Sequence, residues 1–82
     1  MKILRFYADW CSKCKKFSGR EKLGYDADVN IDLPSHKKTL VKYQISIIPT
    51  FVAISENGKV KGKLTNPYDM DEYFEWKDRL IK

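Results

Sequence analysis

Cysteine is scarce in this chain: Cys11 and Cys14 are the two it has in 82 residues. That excludes a multi-disulfide scaffold and a four-thiolate zinc site, both of which need more thiols. Histidine is scarcer still, with His36 alone. No apolar run approaches the roughly 18 to 20 residues of a membrane span. Met1 to Tyr7 is too short, and too soon followed by charge, for a secretory signal, so the expected location is cytoplasmic with no membrane role. No internal repeat, linker or low-complexity tract interrupts the chain. With 43% apolar and 13% aromatic residues, what is there is globular in composition. At this length folding buries only about 60 to 65% of the unfolded surface, which leaves no room for a second core or a large cofactor fold. Residues 1–82 are expected to form one domain and a monomer.

Acids are also in deficit, 11 against 16 bases, for a net charge of +5. The surplus is local. From Cys11 to Leu23, Lys13, Lys15, Lys16, Arg20 and Lys22 face the single acid Glu21, whereas from Asn66 onward acids outnumber bases. Nucleic-acid binding is not expected, because it wants a basic face interleaved with aromatics, a binding helix or a zinc module. The positive field around the cysteines suits acidic protein partners instead.

The apolar run Lys2 to Tyr7 reads as a buried strand. Straight-chain Lys, Arg and Glu from Ser12 to about Lys22 predict a helix, weakened in its second half by Gly19. Tyr25, Ala27, Val29 and Ile31 alternate with polar residues, which is the period of a strand. Pro34 and Ser35 start a helix that ends near Gln44. Thr50 to Ser55 is a third strand, Asn57-Gly58 a tight hairpin turn, and Lys59 to Leu64 a fourth strand whose alternating lysines mark an edge. Asn66 is the expected N-cap of a last helix, with Pro67 at its first position. Met70, Tyr73, Phe74, Lys77, Leu80 and Ile81 form its stripe.

Cys11-Ser12-Lys13-Cys14 follows a strand and opens a helix. Unpaired N–H groups there, together with Lys13, Lys15 and Lys16, favour the Cys11 thiolate. Cys14, one turn on, is deeper and stays protonated until needed, so the pair suits thiol-disulfide exchange. Trp10, at the mouth of the turn, is expected at the surface beside the thiol. Two other readings of the spacing stand beside this one: half of a metal site completed by His36 and a carboxylate, and a pair of inert buried thiols. Against the first, structural zinc wants four protein ligands, and His36 lies at a separate helix start.

Phe6-Tyr7-Ala8-Asp9-Trp10-Cys11-Ser12-Lys13-Cys14 resembles the active-site segment of thioredoxins. Tyr43-Gln44-Ile45-Ser46-Ile47-Ile48-Pro49-Thr50-Phe51, with Asn57-Gly58-Lys59-Val60 after it, resembles that family's cis-proline segment and following hairpin. The resemblance implies an α/β fold, β-α-β-α-β-β-α, with a four-stranded mixed sheet and helices on both faces. It implies reduction of protein disulfides through Cys11 and Cys14, whose own redox-active disulfide takes the place of any bound cofactor or metal. It further implies a cis Ile48-Pro49 bond that sets Pro49 against the cysteines, and an Ile48 backbone free to pair with an extended substrate segment. Substrate contact is expected from Trp10, Ser12, Lys13, Ile48, Pro49 and Thr50, with Trp10, Ile48, Pro49 and Thr50 forming an apolar groove. The implied partners are disulfide-containing proteins, ribonucleotide reductase being a common client in the family, and an upstream reductase or glutathione as electron source.

The chain departs from the family in three ways. It lacks the N-terminal strand and helix of full-length thioredoxins, leaving the minimal core seen in glutaredoxins. Ser12 and Lys13 stand where Gly and Pro are usual, and Lys13 favours the thiolate and hence the reduced form. Arg5 stands where the family has a buried aspartate, and Asp28 where it has the neighbouring lysine. This charge swap predicts a cross-strand Arg5–Asp28 ion pair beneath the active site, because an unpaired buried guanidinium would cost several kcal/mol. The competing expectation is that Arg5 snorkels to solvent. No carboxylate at position 5 then accepts a proton from Cys14, so water or Asp28 must. The alternatives to a protein-disulfide reductase are a glutathione-dependent glutaredoxin-like enzyme and a non-catalytic binding subunit of the same fold.

Overall fold

Leu4 and Phe6 project from one side of the first strand while Ile3 and Arg5 project from the other, and this alternation organises the molecule. The structure, a computed structural model, describes residues 1–81. Strand β1 (Lys2–Tyr7) runs parallel to β2 (Ala27–Asn30) and antiparallel to β3 (Thr50–Ile54), which pairs antiparallel with β4 (Val60–Thr65). The strand order is β2-β1-β3-β4. All five residues of β3 are buried, as expected of a central strand with both faces covered. Lys61 and Lys63 are exposed on the edge strand β4, where charge discourages pairing with another chain.

Two cores sit on the two faces. On one, Phe17, Leu23, Tyr73 and Trp76 pack over Ile3, Tyr25, Phe51 and Ala53. On the other, Leu40, Tyr43 and Ile45 cover Phe6, Val29, Val52 and Ile54. Helices therefore lie on both faces of a four-stranded mixed sheet, as expected. Among the described residues, no helix is long and apolar enough to cross a membrane.

Several local expectations need correction. The helix expected from Ser12 to about Lys22 is two short helices, α1 (Ser12–Lys16) and α2 (Arg20–Leu23). They break where Ser18 Oγ donates to the Lys15 carbonyl and Gly19 turns to φ +100°, a conformation that side chains with a Cβ rarely adopt. The helix from Pro34 begins as a single tight turn at 34–36 and continues as α3 (Lys37–Lys42). The last helix, α4, spans Met70–Ile81 and is capped by Asp69, whose carboxylate accepts from the Glu72 N–H at 2.9 Å. Asn66, the expected cap, instead adopts φ +50° ahead of the helix. In α4 the buried residues are Tyr73 and Trp76, while Phe74 and Ile81 of the expected stripe are exposed. Lys77 lies in the stripe for a polar reason: its ammonium donates to the Leu23 carbonyl at the end of α2.

Candidate active site

From β1 the chain turns through Ala8, whose carbonyl accepts the Cys11 N–H at 3.1 Å, and delivers Cys11 to the N-cap of α1. There the Cys14 N–H points at Cys11 Sγ, 3.2 Å away. Cys11 is half-buried and Cys14 is 1% exposed. The two are joined by a disulfide, with their Cα atoms 5.3 Å apart. Because α1 has only five residues, the site draws little on an extended helix dipole. Field effects of this kind reside in the first turn, so the local N–H groups and the charges of Lys13, Lys15 and Lys16 remain.

The surroundings draw in residues that spacing did not suggest. Trp10 is 67% exposed, and its indole N–H donates to Asp32 at 2.8 Å. The link is a consequence of parallel pairing: β1 and β2 run side by side, so the residues just beyond their C-terminal ends meet. The Lys13 ammonium donates to Asn66 Oδ1 at 2.8 Å, and the Asn66 N–H donates to the Pro49 carbonyl at 2.8 Å. Asn66 thereby ties the cysteine helix to the proline loop. The Ile48-Pro49 bond is cis. Ile48 enters no backbone hydrogen bond among the described residues.

The apolar groove expected of Trp10, Ile48, Pro49 and Thr50 requires correction. Pro49 and Thr50 are fully buried, with Thr50 Oγ1 donating to the Ile47 carbonyl at 2.5 Å, so neither side chain forms surface. Exposed apolar groups here include Trp10 and Ile47, with Ile48 half-buried and Ser12 exposed, and Tyr68 lies exposed on the Ser12–Lys13 side.

Beneath the cysteines Arg5 is 6% exposed, which removes the snorkelling alternative. Its Nε donates to Asp28 Oδ1 at 2.5 Å, opposite it in the β1–β2 register, and its Nη1 donates to the Cys14 carbonyl at 3.0 Å. The guanidinium also lies over the rings of Tyr7 and Tyr25, 4.2 and 5.5 Å from their centroids. Burial, with the neighbouring Asp28 carboxylate, pushes the Tyr25 phenol up from its ordinary value of 10.0, and Arg5 opposes the shift. A cleft of about 320 Å³ opens against Arg5, Asp9, Cys14 and Lys15. His36 Nδ1 lies 2.8 Å from the Asn30 carbonyl, and no group of three or more His, Cys, Asp or Glu converges among the described residues.

A family model described as thioredoxin matches residues 1–78. Mitochondrial thioredoxin of Mus musculus is 31% identical over 85 residues, covering 96% of this chain and 51% of that protein. The thiol:disulfide interchange protein TxlA of Synechococcus elongatus is 30% identical over 69 residues, covering 73% of this chain and 36% of that protein. The chain thus spans about half the length, or less, of the curated relatives it matches. Thioredoxin O2 from Arabidopsis thaliana, solved in its oxidised state, superposes with a TM-score of 0.79 at 22% identity over 99% of this chain and 75% of that one. Thioredoxin 1 from Thermosipho africanus superposes over the full length of both chains with a TM-score of 0.66 at 14% identity. These two likenesses establish the architecture.

Proposed function

The chain belongs to the thioredoxin family, and on that premise we propose that it is a thiol-disulfide oxidoreductase that reduces protein disulfides by dithiol exchange through Cys11 and Cys14. The observation that carries this is the Cys14 N–H directed at Cys11 Sγ, with Cys14 itself buried one turn below. In the reduced protein that N–H and the nearby lysines favour charge on Cys11. The Cys11 thiolate attacks one sulfur of a substrate disulfide, a mixed disulfide forms, and the other substrate sulfur leaves and takes up a proton. Cys14 then loses its proton and attacks Cys11 Sγ. The second substrate sulfur leaves, and the Cys11–Cys14 disulfide closes. The redox group is this disulfide, with no bound cofactor.

Trp10, Ile47 and the Ile48 backbone offer the docking surface for an extended segment, Pro49 and Thr50 support it from below, and Lys13 with Ser12 lies at its edge. The lysines steer acidic protein partners, and a ribonucleotide reductase is one disulfide client to test. An upstream reductase or glutathione restores the dithiol. Residues 1–82 act as one monomeric domain. The protein works in a thiol-reducing compartment, the expected one being the cytoplasm, although relatives carry mitochondrial names. Trp10 and Ile48-Pro49-Thr50 resemble thioredoxin more closely than glutaredoxin, so turnover is expected with a thioredoxin reductase rather than with glutathione. Replacing Cys14 with Ser should accumulate covalent complexes between Cys11 and substrate proteins, resolved by mass after non-reducing electrophoresis. Recovery of none under oxidising challenge counts against dithiol exchange.

A further inference from the structure

Of the two cysteines, Cys14 faces the harder ionisation. Its thiol is buried, and burial pushes a thiol up and away from the thiolate that the resolving step requires. No carboxylate stands at position 5 to take its proton. What stands there is Arg5, which donates Nη1 to the Cys14 carbonyl at 3.0 Å while a different nitrogen, Nε, holds Asp28. The charged side chain in contact with Cys14 is therefore positive.

The partner carboxylate offsets it only in part. Asp28 is 34% exposed at its side chain against 7% for Arg5, so water screens the carboxylate far more than the guanidinium. Interaction energy falls about fourfold between an effective dielectric constant near 20 and that of water. The remaining charged groups around Cys14 are Asp9 and the three lysines of α1. Asp9 and Lys15 line the same cleft with opposite signs and are both exposed. Lys13 and Lys16 lie on α1 with Lys13 turned to Asn66. Tyr7 also borders the cleft, and burial pushes up the phenol of Tyr25, on the sheet side.

Resting on the dithiol reading of the site, we propose that Arg5 is a positioning residue for the resolving step, which holds Cys14 by its carbonyl and stabilises its thiolate so that the proton leaves to water in the cleft without a carboxylate to receive it. The S–H proton passes to water, and the thiolate electron pair forms the bond to Cys11 Sγ. The bond between Cys11 and substrate breaks with its pair on the substrate sulfur, which is then protonated.

The test uses a Cys11→Ser background, in which Cys14 is the sole thiol, and follows the Cβ chemical shift of labelled Cys14 against pH. Arg5→Gln should raise the midpoint, by up to about one pH unit for a neighbouring opposite charge that Asp28 partly offsets. Arg5→Lys should recover at least half of that rise, and Asp28→Asn, which frees the cation, should lower the midpoint. Equal midpoints in the parent and Arg5→Gln, or a rise that Lys fails to reduce, overturn the proposal. If Arg5→Gln does not fold, Asp28→Asn decides: a lowered midpoint supports the role, and an unchanged or raised one overturns it. The titration involves no substrate, so a protein that turns over no disulfide would refute the dithiol reading and leave this result standing on its own.

Discussion

Asn66 holds two sides of the site together, accepting from Lys13 and donating to the Pro49 carbonyl. It does so at φ +50°, where a residue other than Gly or Asn is disfavoured by about 1 to 2 kcal/mol. Asn66→Ala should therefore lower the unfolding free energy by about 1 kcal/mol, and Asn66→Gly should recover most of it while still lacking the lysine contact. Urea unfolding of the pair checks this; equal losses in both variants would place the effect in the side chain instead of the backbone. At this scale the cysteines were legible because three residues of spacing after a strand carry their chemistry locally. Arg5 and Asp28 were legible through the resemblance, which sets them where the family has an aspartate and a lysine with the charges exchanged, and the β1–β2 register places them opposite each other. The roles of Asn66 and Asp32 were not. Their partners lie 53 and 22 residues away, and only the fold brings them together.

Among the elements, the start of α4 shows how two signals compete. Asn66-Pro67 has the composition of a cap and first residue, yet Asp69 supplies the cap, and Glu72 reaches back to the Tyr68 N–H at 2.8 Å. A carboxylate at the N-cap with Glu three residues on satisfies two free N–H groups at once, which outweighs what Asn66 offers there. Asp69→Ala should cost about 1 kcal/mol in urea unfolding; a change below a few tenths would mean that α4 is capped elsewhere. The split of the Ser12–Lys22 segment into α1 and α2 has a comparable origin. Helix-forming Lys and Arg run across it, but Gly19 turns and its N–H binds Tyr25 Oη at 3.1 Å. Summed propensity identifies a helical stretch and misses a tertiary bond that interrupts it. The strands fared better, since period-two alternation against two cores fixes which faces are buried. Their ends shifted by a residue or so, as at β4, which starts at Val60 and carries a register irregularity at Ala53/Ile54.

Across the whole molecule one aromatic core closes the face that carries the cysteine helix. Phe51 stacks at 4.5 Å from Tyr73, whose hydroxyl donates to the Leu23 carbonyl at 2.9 Å. Burial, followed by Tyr25 and Asp26, pushes the Tyr73 phenol from 10.0 up to about 12. An unfolded chain gives up that proton near pH 10 while the folded one keeps it, so the associated stability is complete below about 10 and is lost as pH rises through about 12. Urea midpoints should fall across this window. Tyr73→Phe should lose about 1 kcal/mol at neutral pH through the missing hydrogen bond and show a shallower alkaline decline; an unaltered decline would assign it to other groups. The mixed sheet with helices on both faces was implied by the family resemblance that two separated motifs carry, whereas the core partners across it depend on how α4 docks. All of this scaffolding serves one sulfur. The direct test is the alkylation rate of Cys11 in the reduced protein as a function of pH. A midpoint at least about one unit below the free-thiol value of roughly 8.5 is expected, and a midpoint at or above that value would contradict the account.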